Sequence, residues 1–406
     1  MISNLMEEAR QLQPAIVADR RTLHENPETG FDLQNTRAYV RQQLEAMGLA
    51  PAECGRAGLV ALVGGKKPGK VFLLRADMDA LPIREQADVP FASRNGRMHA
   101  CGHDMHTSML LGAARLLKAH EDEICGTVKL MFQPAEELFE GSQDMLNAGV
   151  LEAPKVDAAM MVHVMTATPF PAGTPVVSAP GVSAPAADYF TIRVRGKGCH
   201  GSMPNMGVDP ISAAAHILIA LQELQARELA MGEHAVLTVG TMHAGNAGNA
   251  IPDLAEMSGT LRTFNEETRS FVKTRMAEIA RHTASAFRAE AEVEFGSGCP
   301  TLVNDADLVR CVEGYLEELM GPEHVFSARK LAAAGGGASK TAGSEDFAYV
   351  SQRVPALMIA LAAGQAEQGY CSPLHHPAAK FDESALASGS AVYAYAALRW
   401  LEEHAG

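Results

Sequence analysis

The sequence predicts a mixed α/β protein: a mostly parallel sheet with helices packed on it, carrying an inserted α+β unit of ferredoxin-like order. Three observations predict this. The chain has 406 residues, more than one hydrophobic core usually spans, so two domains are expected. Apolar or β-branched runs at 59–63, 71–74, 128–132 and 158–162 alternate with helix-like segments, the pattern of strands covered by helices. The middle of the chain then changes to a β-α-β-β-α-β order, after which the first pattern resumes.

The elements follow in turn. Between the second and third apolar runs, residues 106–120 read as a helix with Leu110, Leu111, Ala114 and Leu117 on one face. Residues 189–194 alternate as a strand. Asp209-Pro210 opens a helix, with aspartate as N-cap and proline in the first turn, expected to reach about 229. Strands at 235–241 and 255–262, a helix at 266–288 and a strand at 291–295 complete the unit. After Cys299-Pro300 come a helix at 306–320, a glycine-rich loop at 332–338, a buried-type strand at 356–361 and a closing helix at 383–401. The expected domains are therefore 1–185 with 299–406, around an insertion at 186–298.

Bulk properties narrow the function. Hydrophobic residues make up 47% and charged residues 20%, a globular composition. Thirty-four basic against 48 acidic residues leave a net charge of −14, which repels phosphate backbones, so no nucleic-acid partner is expected. The amino terminus has no apolar h-region, and no unbroken apolar stretch is long enough to span a bilayer, so neither secretion nor a membrane partner is expected. The seven cysteines are odd in number, widely spread and free of any Cys-x-x-Cys pair. That spacing suits reduced thiols in a cytoplasm better than a disulfide frame.

Groups suited to binding metal stand where strands end, the place where open α/β sheets bind ligands. The run at 71–74 ends in Arg75-Ala-Asp77-Met-Asp79, that at 128–132 in Gln133-Pro-Ala-Glu136-Glu137, and that at 158–162 in His163. Cys101-Gly102-His103-Asp104 precedes the helix at 106–120, and Leu374-His375-His376-Pro377 lies near the end of the chain. Cysteine, histidine and glutamate are natural ligands of zinc and similar ions. Taken singly each has an ordinary structural explanation: paired glutamates form solvated faces, a strand-end histidine is satisfied by its neighbours, and His-His before proline is a turn. Their joint placement at one sheet edge carries the functional reading. Adjacent carboxylates are expected to point apart, so that one binds metal while the other faces the reacting water.

The segments Arg75-Ala-Asp-Met-Asp-Ala-Leu-Pro82, Met98-His-Ala-Cys-Gly-His-Asp-Met-His-Thr107, Phe132-Gln-Pro-Ala-Glu-Glu137, Gly343-Ser-Glu-Asp-Phe347 and Leu374-His-His-Pro377 resemble the amidohydrolase branch of the dinuclear metallopeptidase superfamily. That branch includes hippurate hydrolase, N-acyl-amino-acid amidohydrolases and auxin-conjugate hydrolases. The resemblance runs from Arg20-Arg21-x-x-His24-x-x-Pro27-Glu28 to the final helix. It implies Cys101, His103, Glu137, His163 and His375 as ligands of two divalent metal ions (zinc, manganese, cobalt or nickel). It also implies Glu136 as general base and Asp77 as a carboxylate orienting a ligand. Arg75 stands where the wider superfamily has a metal-binding histidine, and Cys101 resembles the replacement for its bridging aspartate. The outer domain would be catalytic and the insertion a lid and dimerisation domain, giving a homodimer. Within the insertion, Gly198-Cys-His200-Gly-Ser-Met-Pro204 matches a motif whose histidine reaches an active site, in its own subunit or the partner's. Asn249 and Arg262 match substrate-holding positions, and the guanidinium of Arg262 suits a carboxylate.

The implied reaction is hydrolysis of the amide bond of a small N-acyl or N-aroyl L-amino acid, with a dipeptidase or carboxypeptidase of the same chemistry as the alternative. Two other classes compete: a nucleotide-dependent oxidoreductase and a catalytically inert binding module. Gly196-Lys-Gly198-Cys-His-Gly201 fits the dinucleotide pattern G-x-G-x-x-G, but a helix should open within that loop. Here Pro204 and Gly207 intervene before Asp209. Glu136 beside a full ligand set argues against an inert module.

Overall fold

The computed structural model describes residues 4–333 and 343–405, which form two compact units, one of them spanning Ala184–Leu302. The larger unit is built on an eight-stranded sheet. Its spatial order is Ala52–Cys54, Gly58–Gly64, Thr127–Gln133, Val71–Asp77, Ala158–Met165, Ala356–Ala362, Pro175–Val177 and Phe326–Ser327. The four central strands, from Thr127–Gln133 to Ala356–Ala362, are parallel. Gly58–Gly64 is antiparallel to both its neighbours, and Pro175–Val177 to Ala356–Ala362. The turn between Gly58–Gly64 and Val71–Asp77 explains the first reversal: a parallel crossover needs about a dozen residues or more, and this connection is far shorter. Val71–Asp77 is buried at every position, as a strand covered on both faces should be.

The chain leaves Val71–Asp77 through the helix His103–Ala119 and returns on one side as Thr127–Gln133; it then crosses to the other side as Ala158–Met165. The carboxyl ends of Val71–Asp77 and Ala158–Met165 therefore flank a topological switch point, where a crevice opens. Their ladder runs from Phe72 opposite Ala158 to Arg75 opposite Met161 and stops. Beyond it two side chains supply the missing partners. Tyr393 Oη donates to the Arg75 carbonyl at 2.7 Å and accepts from Val162 N–H at 2.9 Å. His106 Nε2 accepts from Val164 N–H at 2.8 Å.

The helix His103–Ala119 is buried on nearly every face, its polar residues His103, Asp104, His106, Thr107 and Ser108 included. Leu110, Leu111, Leu116 and Leu117 are almost wholly enclosed, each worth about 1.5–3 kcal/mol. The helix lies against the closing helix Ala385–Glu403 and the first helix Leu5–Glu25. It approaches the closing helix closely at Gly112, where a Cβ would stand 2.3 Å from Ser390 Oγ. Leu5–Glu25 and Gln34–Ala46 had no counterpart in the sequence reading.

The second unit carries a four-stranded antiparallel sheet, in the order Ala235–Ala244, Leu254–Thr263, Ala186–Arg195, Glu290–Cys299, with the helices Pro210–Ala220 and Glu266–Ala286. Its chain order is β-α-β-β-α-β. Asp209 caps the first helix, its side chain accepting from Ile211 N–H at 2.9 Å. That helix ends at Ala220, before the expected 229; beyond it Leu224 N–H turns back to Leu221 O, three residues away, and Leu229 N–H reaches Leu224 O across the π-turn Leu224–Glu228. The glycine loop at 196–201 opens no helix; the next one begins at Pro210. The loop expected at 332–338 lies, from 334 onward, outside the described residues. No helix among the described residues is long and apolar enough to cross a membrane.

Candidate metal centre

Three turns bring the strand-end residues together. The first is Cys101-Gly102-His103. Gly102 has φ +85°, and a Cβ there would stand 2.4 Å from Val164 Cγ2, so only glycine lets the chain enter the helix this tightly. His103 thus becomes the first helical residue, three positions ahead of the expected start.

The second turn follows Thr127–Gln133. Ala135 and Phe139 both take left-handed backbone, with φ +52° and +55°, and bracket the short 3-10 turn Glu136–Leu138. Non-glycine residues in that region cost about 1–3 kcal/mol and persist where surrounding structure enforces them. Here Asp79 enforces the turn. Its carboxylate accepts from Glu136 N–H at 3.0 Å and Glu137 N–H at 3.3 Å, while its carbonyl accepts from His103 Nδ1 at 2.8 Å.

The third turn carries His375, also left-handed at φ +63° and tied by its N–H to Ala100 O at 3.0 Å. His163 arrives on Ala158–Met165, its Nδ1 bonded to Val164 O at 2.8 Å.

With Nδ1 committed to backbone carbonyls, His103 and His163 each turn Nε2 inward. His103 Nε2 is buried without a hydrogen-bond partner among the described residues, as is Glu137 Oε1. These two atoms face each other at 3.9 Å. Cys101 Sγ lies 3.6 Å from His163 Nε2, and Glu137 Oε1 lies 3.4 Å from His375 Nε2. Cys101 belongs to two trios whose donor atoms all fall within 4.8 Å of one another: Cys101, His103, His163 and Cys101, Glu137, His375. Two orphaned buried atoms, a nitrogen and an oxygen, converging with a sulfur fit a borderline divalent cation, and a thiol common to both trios fits a pair of them.

The electrostatics agree. Burial and the Glu137 carboxylate push the Cys101 thiol up, but His163 and His103 outweigh them and bring it down to about 6; the thiolate is the form that ligates. Burial opposes ionisation of Asp77, yet His103, His106 and Arg75 hold it well below the usual carboxylate range. Burial likewise takes His106 down to about 4 despite Asp77. A neutral His106 is what its acceptor bond from Val164 N–H requires, so it has no lone pair left for a cation.

Two expectations change. Glu136 and Glu137 do not point apart: Glu136 Oε2 reaches within 4.0 Å of His103 Nε2 and Glu137 Oε1 within 3.9 Å. The turn, pinned by Asp79, folds both flexible side chains back to one point. They differ in their other neighbours, Glu137 meeting His375 and Glu136 Oε1 meeting Asp346 N–H at 3.4 Å. Asp77 hydrogen-bonds His106 Nδ1 and Arg75 Nη1, both at 2.6 Å, and stays 3.7 Å from His103 Nε2. It therefore acts on the expected ligand through its charge.

The sequence reading assigned no role to His106, Asp79 or Asp346. His106 lies one helical turn after His103, and that spacing was the available signal.

His200, Asn249 and Arg262 belong to the second unit. His200 pairs with Ala250 in a two-stranded ladder and accepts from Ser202 N–H and Oγ. Asn249 O accepts from Gly201 N–H at 2.7 Å. Arg262 lies on Leu254–Thr263, its Nη1 buried without a hydrogen-bond partner among the described residues.

The family model described as Peptidase family M20/M25/M40 matches residues 73–399. The chain belongs to the M20 peptidase family. This M20 protein is 36% identical over 386 residues to an N-acetylcysteine deacetylase of Bacillus subtilis, covering 94% of this chain and 96% of that one. It is 34% identical over 416 aligned positions to thermostable carboxypeptidase 2 of Saccharolobus solfataricus, covering 98% and 99%. The crystal structure of a Bacillus subtilis protein described as a dinuclear metal-binding peptidase from the M20 family superposes with a TM-score of 0.79 at 33% identity, covering 97% and 99%. The M20 chain is thus a metal-dependent hydrolase, and its relatives include both deacetylases and carboxypeptidases.

Proposed function

We propose that this enzyme hydrolyses the amide bond of N-acyl or N-aroyl L-amino acids, releasing a carboxylic acid and a free amino acid. The observation carrying this reading is Cys101, common to two ligand trios, with the carboxylate of Glu136 beside them. Cys101, His103, Glu137, His163 and His375 would hold two divalent ions, drawn from zinc, manganese, cobalt or nickel. When bound, such ions acidify a water and polarise the scissile carbonyl. Glu136 takes the proton of the attacking water and returns it to the leaving nitrogen. Asp77 stays ionised and supplies negative charge beside His103.

The inserted unit is assigned the role of lid and dimerisation domain of a cytoplasmic homodimer. His200, from its own subunit or the partner's, would steady the oxyanion. Arg262 and Asn249 would grip the amino acid carboxylate; the buried, unpartnered Nη1 of Arg262 supports that role.

Glu136→Gln should keep metal content while abolishing turnover; a normal rate would exclude the base role. An assay of N-acetyl, N-benzoyl and long-chain acyl amino acids against dipeptides separates amidohydrolase from carboxypeptidase. The second reading is kept because relatives of similar identity bear both names.

A further inference from the structure

We propose that Asp346 is a positioning residue that fixes the side chain of Glu136. The inference rests on the proposed role of Glu136 as base and names what holds that base in place. Asp346 comes from a distant part of the chain and is fully buried, as are Arg75 and Gln133.

These three residues close a ring. Arg75 Nε donates to Gln133 Oε1 at 2.9 Å, Gln133 Nε2 donates to Asp346 Oδ1 at 2.7 Å, and Arg75 Nη2 donates to the same Oδ1 at 3.0 Å. Asp346 Oδ2 accepts from Ser142 N–H at 2.9 Å, in the first turn of the helix Gly141–Asn147 that follows the glutamate turn.

The carboxylates of Glu136 and Asp346 come within 4.8 Å of each other. Two anions that close repel unless one is neutralised. Arg75 supplies the neutralisation, lying between Asp346 and Asp77. With donors on both its oxygens, Asp346 does not compete for a proton or a cation, and presents its backbone N–H to Glu136 Oε1 at 3.4 Å. That distance is long for a hydrogen bond, so the contact steers the carboxylate more than it anchors it. The base turn is thereby held from two sides, its backbone by Asp79 and its side chain by Asp346. A base displaced by even about 1 Å can lose about a hundredfold in rate, which gives such a support kinetic weight. Arg75 thus holds the support of the base.

The test uses the metal-loaded enzyme. Asp346→Asn leaves Nδ2 facing a donor, either Ser142 N–H or the Arg75–Gln133 pair, so one of the two holds on this side chain must break. The expected result is a kcat at least about tenfold lower, with KM and bound metal per chain unchanged. Glu136→Asp withdraws the carboxylate from the Asp346 N–H while keeping a measurable rate, so in that background Asp346→Asn should cost nothing further. The proposal is overturned if Asp346→Asn lowers kcat less than about tenfold, if the two losses multiply, or if metal is lost in step with activity. Should Asp346→Asn not fold, Gln133→Met opens the same ring under the same criteria. A fully active Glu136→Gln would remove the base reading itself; loss there with no effect of the ring variants would remove only this inference.

Discussion

Asp79 Oδ1 accepts the backbone N–H of Glu136 at 3.0 Å, so a carboxylate that touches no ligand atom of Glu137 shapes the turn presenting it. Through its carbonyl the same residue fixes the ring of His103. One aspartate thus orients two of the five expected ligands, from two separate turns.

Asp79→Asn removes one of the two acceptors and places an amide N–H against a backbone N–H. Groups that orient ligands typically contribute about 10–100-fold to metal affinity, and a loss of that size is expected here. Competition with a chelator measures it, and excess metal should restore most of the rate. Unchanged affinity would mean that the turn holds its shape without Asp79.

Cys101 should make the enzyme sensitive to oxidants. A thiol brought down to about 6 is largely thiolate at neutral pH, the form that peroxide attacks. Brief peroxide treatment should inactivate the protein, with a thiol reductant recovering the early fraction. Cys101→Asp, which keeps an anionic ligand but carries no sulfur, should keep some metal and activity and resist the same treatment. Equal sensitivity in that variant would move the damage to another thiol, such as the exposed Cys371.

Gly102→Ala should be among the most damaging small substitutions. The left-handed φ of +85° costs alanine about 1–2 kcal/mol, and the approach to Val164 Cγ2 at 2.4 Å adds overpacking of about 1–3 kcal/mol. Denaturant melts should show the loss, with a drop in bound metal as His103 turns away. A melt unchanged within about 0.5 kcal/mol would show that the helix start shifts freely.

The central sheet was legible because buried parallel strands are continuous apolar runs, and Val71–Asp77 is buried throughout. The antiparallel setting of Gly58–Gly64 lies in the short connection to Val71–Asp77 and not in the strand's own residues, so the apolar runs alone did not reveal it. The side chains that converge on the candidate metal centre were legible by type at strand ends. What held them was not: the grip of Asp79 on the Glu136 backbone and that of Asp346 on the Arg75 side chain join residues far apart in the chain, and such bonds leave no periodic trace. Leu5–Glu25 escaped notice although it contributes His24 and Arg20, both buried against Asp104 beside the Cys101-Gly102-His103 turn.

That last contact gives stability a pH dependence of known sign. Burial alone would push His24 down, but Asp104 and Glu85 outweigh it and raise it to about 9; the ring bonds Asp104 at 2.8 Å and Glu85 at 2.9 Å. A histidine raised on folding contributes stability that is complete below its unfolded value, about 6.5, and that fades as pH climbs through the folded value. The interval implies a contribution on the order of 3 kcal/mol, present at pH 6 and gone by pH 10. The carboxyl of Asp104 is held far below its ordinary range by Arg20 and His24 against burial, so its own contribution is lost only in strong acid. His24→Gln removes the titrating charge and leaves the expected metal ligands in place, so their pH dependence cancels in the difference between wild type and variant. Urea unfolding of the metal-loaded proteins should give a gap that is wide at pH 6 and narrows through pH 9. A gap constant across that range would mean that His24 is neutral in the folded protein and that Asp104 is held by Arg20 alone.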